Sequence, residues 1–98
     1  MRRIGHARFL RNVLVATGNS DDGALVPLVE VHLRHDNSLV RGMAVWALSA
    51  LTAAGRFKAF ISDYLPNETD KMVQDEWEAA RYKLFSTTVS QKQHPIST

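Results

Sequence analysis

The amino-acid sequence predicts an all-α fold, a short α-solenoid of about five helices in two layers, on three observations. Apolar residues recur at spacings of three and four along most of the chain, the period of a helix with one buried face. Capping and turn residues interrupt that pattern at short intervals, which divides it into separate helices. The longest apolar segments also align on one another at offsets of about thirty residues, the repeat length of a stacked helical hairpin.

The first helix is expected over roughly Arg3 to Thr17. Phe9, Val13 and Ala16 recur at helical spacing, Leu10, Leu14 and Thr17 lie alongside, and Gly18-Asn19 is a stop signal. Ser20 can cap a second helix, with Asp21 and Asp22 placed against its positive dipole end. Its stripe is Leu25, Leu28, Val29 and His32, and Pro27, which has no N–H to donate, makes it start late or kink. Asp36-Asn37-Ser38 caps a third helix whose stripe is Val40, Ala44, Ala47 and Leu51. Met43 and Leu48 flank that stripe and Trp46 and Ala50 lie to one side, so this helix is apolar on most of its circumference and belongs between neighbours.

Gly55 is expected to end the third helix. A short fourth one follows with Phe57, Phe60, Ile61 and Tyr64, terminated by Pro66. Asn67 with Asp70 resembles a capping arrangement for a fifth, in which Val73, Trp77, Ala80 and Leu84 repeat the four, three, four spacing. Residues 1–85 then form one helical repeat domain. From Ser86, where Ser, Thr and Gln dominate ahead of His94-Pro95, residues 86–98 read as a flexible tail.

Val40-Arg41 through Leu51 aligns with Val73-Gln74 through Leu84 at an offset of 33, and Leu10-Arg11-Asn12 with Val40-Arg41-Gly42 at 30. The long first, third and fifth helices would make one layer and the short second and fourth the other, with Ala44 and Ala47 allowing close approach. That is a HEAT-like pattern.

Composition narrows the chemistry. No cysteine is present among the 98 residues, which removes disulfides, thiolate nucleophiles and thiolate-ligated zinc or iron–sulfur centres from this chain. The longest uncharged run, Gly42 to Gly55, is shorter than the roughly 20 residues of a membrane span and carries Ser49 and Thr52. Arg11 and Asn12 interrupt what would otherwise be a signal-like start, and a cytoplasmic protein is expected. Charge is segmented. Residues 1–20 hold Arg2, Arg3, Arg8 and Arg11 with no acid, whereas residues 61–80 hold six acids against Lys71 alone, so one face suits an anionic partner.

The segments Arg11-Asn12-Val13-Leu14-Val15-Ala16-Thr17-Gly18-Asn19-Ser20, Ala24-Leu25-Val26-Pro27 and Val40-Arg41-Gly42-Met43-Ala44-Val45-Trp46-Ala47-Leu48 resemble the C-terminal HEAT-like region of the epoxyqueuosine reductase family. The likeness covers about residues 4–55 by motif and 56–85 by pattern. It implies a part in completing queuosine in the anticodon loop of tRNA, an oxidoreductase reaction that uses cobalamin and two [4Fe–4S] clusters. The family's catalytic parts lie upstream of its helical repeats. The chain is therefore expected to be a C-terminal piece or a relative of such an enzyme, non-catalytic by itself, with tRNA and the upstream catalytic domain as partners and no cofactor of its own.

On that footing Arg3, Arg8, Arg11, Asn12 and Arg41 are the candidate nucleic-acid-binding residues, because a planar guanidinium can engage two phosphate oxygens at once. Arg11 and Arg41 hold equivalent repeat positions and are expected on one edge of the stack. Structural alternatives stand beside this: arginines at the repeat position of Arg11 and Arg41 can pair with Asp36 or Asp22, and Asn12 can cap or bridge repeats. Trp46, Trp77, Tyr64 and Phe57 could stack on bases, but aromatics at helical spacing are usually core, and Trp46 is the one retained. His32 and His35, with Asp36 beside them, put two imidazoles on neighbouring helical positions but no further ligand is evident nearby, and Gly18 to Gly23 lacks the Lys-Ser/Thr ending of a phosphate loop. Asp21 and Asp22 are adjacent and diverge, so paired acid/base chemistry is unsupported. The alternative function is a HEAT-like protein-interaction scaffold without nucleic-acid binding.

Overall fold

A computed structural model of the chain describes residues 7–84 in full and the flanking helical backbone to residues 2 and 97. The expected tail over 86–98 lies outside the fully described residues. The described elements are five α-helices, α1 (Arg2–Asn19), α2 (Val26–His32), α3 (Ser38–Leu51), α4 (Ala54–Tyr64) and α5 (Lys71–Ser97).

The end of α1 is set by Asp21, whose φ of 59° is left-handed, a conformation a short polar side chain tolerates. Ser20 does not cap α2. Its hydroxyl donates to the Thr17 carbonyl at 2.6 Å, closing α1 instead. Asp22 takes the capping role, accepting from the Ala24 N–H at 3.0 Å to open a 3-10 turn over Gly23–Leu25. Helix α2 then starts late, with Pro27 in its first turn where an N–H would have no partner anyway.

Asn37 caps α3 by accepting from the Leu39 N–H at 2.8 Å. Gly55 does not end this helix. Thr52 turns to extended backbone (φ −121°, ψ 152°), and its hydroxyl and N–H both return to the Leu48 carbonyl, at 2.8 and 3.0 Å. Gly55 is left inside α4. Pro66 falls in the 3-10 turn Leu65–Asn67 that follows α4, and α5 is capped by Asp70 alone, whose Oδ1 accepts from the Met72 N–H at 2.8 Å.

Helix α3 packs between α1 and α5, α2 lies against α3, and α4 lies against α5 with a lesser contact to α3. Val40, Ala44, Val45, Ala47 and Leu48 of α3 are wholly buried, as are Val26, Val29, Phe57 and Val73 from its surroundings. Phe57, Phe60 and Ile61 of α4, and Val73, Trp77 and Ala80 of α5, are buried as their spacing predicts.

The stripes of α1 and α2 differ from expectation. In α1 the buried set is Ala7, Leu14 and Thr17, with Leu10 packed against it, while Phe9 is 62% exposed. In α2 it is Val26, Val29 and Leu33, and Leu28 is 47% exposed. Both helices are apolar enough for two adjacent stripes to satisfy helical periodicity, so contact with α3 selects the buried one. Thr17 is tolerated there because its hydroxyl donates to the Val13 carbonyl at 2.7 Å.

Gly18 makes the α1–α3 approach possible. A Cβ at that position would sit 2.5 Å from Cζ3 of Trp46 and 3.1 Å from the Ala47 Cα. Gly18→Ala should therefore destabilise the fold by roughly 1–3 kcal/mol through overpacking, read as a lowered urea midpoint with an unchanged slope.

Candidate nucleic-acid interface

Arg8, Arg11 and Asn12 are exposed on α1. With Val15 and Asn19 they share one helical face, because residues three, four and seven apart lie above one another. Among the described residues neither Arg8 nor Arg11 enters an ion pair. Arg3 lies outside the residues whose side chains are described.

Arg41 does not join them. Its Nε and Nη2 donate to the two carboxylate oxygens of Glu68 at 3.0 and 2.9 Å, and its Nη1 donates to the carbonyls of His35 (2.8 Å) and Asp36 (3.0 Å). The acid it pairs with is thus Glu68 rather than Asp36 or Asp22. With side chains only 17% and 8% exposed, the pair ties the start of α3 to the loop before α5. Glu68 extends the clamp by accepting from the Asp70 N–H at 2.9 Å, and its carbonyl accepts from the Gln74 amide at 2.7 Å.

The pair forms one wall of a polar cleft of about 440 Å³, whose other polar residues include Arg34, His35, Tyr64 and Asn67. Tyr64 donates to Glu30 at 3.1 Å and lies under the Arg34 guanidinium, 5.5 Å from the ring centroid. Burial, and then the Glu30 carboxylate, push its phenol above the usual tyrosine range. His32 Nδ1 hydrogen-bonds the Leu28 carbonyl at 2.9 Å, and His35 Nδ1 accepts from the Asn37 N–H at 3.0 Å.

A second cavity, of about 320 Å³, continues the arginine face across the long helices, lined by Val15 and Asn19 of α1, Gly42, Met43 and Trp46 of α3, and Glu76 of α5. Trp46 is half-buried here, whereas Trp77 and Phe57 meet inside the core as a tilted pair with ring centroids 5.4 Å apart. Of the aromatics considered from the sequence, Trp46 is the one that lines this face. Glu76 was not legible as a member of it, although Gly42 offered a signal: a glycine in mid-helix, where it costs stability relative to alanine.

No family model matches the chain, and no curated protein and no solved structure matches it. The iron–sulfur clusters that the resemblance implies require thiolate ligands, which the chain does not contain. Among the described residues no three His, Asp or Glu side chains gather to hold a metal. None of the described helices is long and apolar enough to cross a membrane.

Two stability outcomes follow from this geometry. Glu68→Ala strands a largely buried guanidinium and should cost about 3 kcal/mol in urea unfolding, with part of the loss recovered when Arg41→Met is added. Gly42→Ala should instead stabilise by about 0.5–1 kcal/mol, since the new Cβ would meet Glu76 Cγ at an ordinary 3.5 Å.

Proposed function

We propose that this chain is a non-catalytic, HEAT-like tRNA-binding module akin to the C-terminal part of epoxyqueuosine reductases. The packing order supports the repeat reading: the long helix α3 lies between the long helices α1 and α5, with α2 against α3 and α4 against α5. The observation that carries the binding role is the exposed face of α1, where Arg8 and Arg11 stand beside Asn12 without acidic partners among the described residues. Phosphate contact is the chemistry those guanidinium groups are left to perform, and Arg41 takes no part in it. The anticodon stem-loop as the target, and an upstream catalytic domain as the neighbour, come from the sequence resemblance.

A second reading has its own observation. Phe9, Leu28 and Val31 are 62%, 47% and 70% exposed, and such apolar surface suits a protein-interaction scaffold.

Fluorescence anisotropy with labelled tRNA across a salt series separates the two. The tRNA reading expects binding that weakens steeply with salt, because phosphate neutralisation releases counterions. Arg8→Glu with Arg11→Glu should reduce affinity at least about tenfold and flatten the salt slope by about 1–2. No binding at low salt, or binding indifferent to the double substitution, sinks the RNA role and leaves the scaffold.

A further inference from the structure

We infer that the cavity between Val15, Trp46 and Glu76 is a slot for one unpaired guanine base of a single-stranded RNA segment. The inference rests on the RNA reading above and adds to it a site and a base.

Three observations converge. The slot has one apolar wall, made by Val15, Met43 and the half-buried indole of Trp46, against which a planar ring can lie. Its polar members, the Asn19 amide and the Glu76 carboxylate, are exposed and have no hydrogen-bond or ion-pair partner among the described residues. Its floor is Gly42, buried in mid-helix where packing does not demand glycine, since a Cβ would meet nothing closer than Glu76 Cγ at 3.5 Å. Gly18 is the contrast: there a Cβ would collide with Trp46, so its size is explained by packing. The missing Cβ of Gly42 instead gives the slot depth.

The donor and acceptor pattern selects the base. An ionised carboxylate only accepts hydrogen bonds, so a base seated against Glu76 must turn N–H donors toward it. Guanine supplies two on its pairing edge, N1–H and N2–H, in a geometry that matches both carboxylate oxygens, whereas adenine and cytosine each offer one amino group beside an acceptor and uracil a single imino N–H. Arg11, one helical turn from Val15 on the same face of α1, stands where a phosphate attached to such a base can reach it. A basic protein side chain would also suit Trp46 with Glu76, but it would meet the positive charges of Arg11 and Arg8, which have no ion-pair partner among the described residues. A nucleotide carries both the anion and the N–H edge.

The test uses the full chain with fluorescein-labelled eight-nucleotide RNAs: oligo-U, oligo-U with one central guanosine, and the same with inosine, which lacks the 2-amino group. The guanosine strand should bind on the order of tenfold tighter than the other two. Glu76→Gln should abolish that preference, and Trp46→Ala should weaken the guanosine strand most, with circular dichroism confirming that each variant is folded. Equal binding of all three RNAs by the wild type overturns the slot while leaving the RNA role standing. No binding of any strand, or of tRNA, overturns both. Binding of a labelled Lys/Arg-rich peptide that Glu76→Gln weakens, with no guanosine preference, would reassign the slot to a protein partner and overturn the inference.

Discussion

The fold depends on α3 burying nearly its whole circumference. Five of its residues have no exposure at all, and they reach that state only because neighbours approach from several sides at once. Small residues set the distances. Ala44 and Ala47 let helices come close, and Gly18 on α1 gives the Trp46 ring its place. The stability of so small a domain is the residue of large opposing terms, so a single misplaced Cβ at this contact matters more than any surface pair.

Helix existence and order were legible because caps and breakers are local chemistry. Asn37, Pro66 and Asp70 act within two or three residues of themselves, so the sequence alone locates their helices. The errors arose where two local signals compete. Ser20 and Asp22 are both good caps, and the left-handed turn at Asp21 hands the role to Asp22. Thr52 and Gly55 both mark a helix end, and Thr52 acts first. The buried stripes of α1 and α2 were missed by one position because periodicity reports an apolar face only when the opposite face is polar. Phe9 and Ala7 belong to rival faces of one helix, and only the position of α3 chooses between them.

The candidate site divides along the same line. Exposure of Arg8, Arg11 and Asn12 follows from their place opposite the core of α1. The fate of Arg41 does not, since its partner Glu68 lies 27 residues away and is brought near by the turn after α4. Arg11 and Arg41, which align at an offset of 30 in the sequence, thereby differ: the second clamps a following loop, and the first has no ion-pair partner among the described residues. Glu76 joined the groove for a similar reason, through the packing of α5 on the glycine face of α3 rather than through any motif.

Charge placement links these parts. Asp63, Asp75 and Glu78 are exposed on α4 and α5, and two of them sit in surface pairs, Lys71 with Asp75 at 3.2 Å and Arg81 with Glu78 at 3.8 Å. Such pairs add little to stability and, being neutral overall, contribute little field: α1 carries Arg8 and Arg11 with no acid among its described residues, whereas α4 and α5 mix both signs. On the proposed RNA reading, a polyanion is favoured beside Arg8 and Arg11. Glu76 then stands as the exception, an acid on the face that also carries the arginines. A phosphate would avoid it, so on the proposed RNA reading the strand must present hydrogen-bond donors there while its negative charge stays near α1, a division of labour that one base turned inward satisfies.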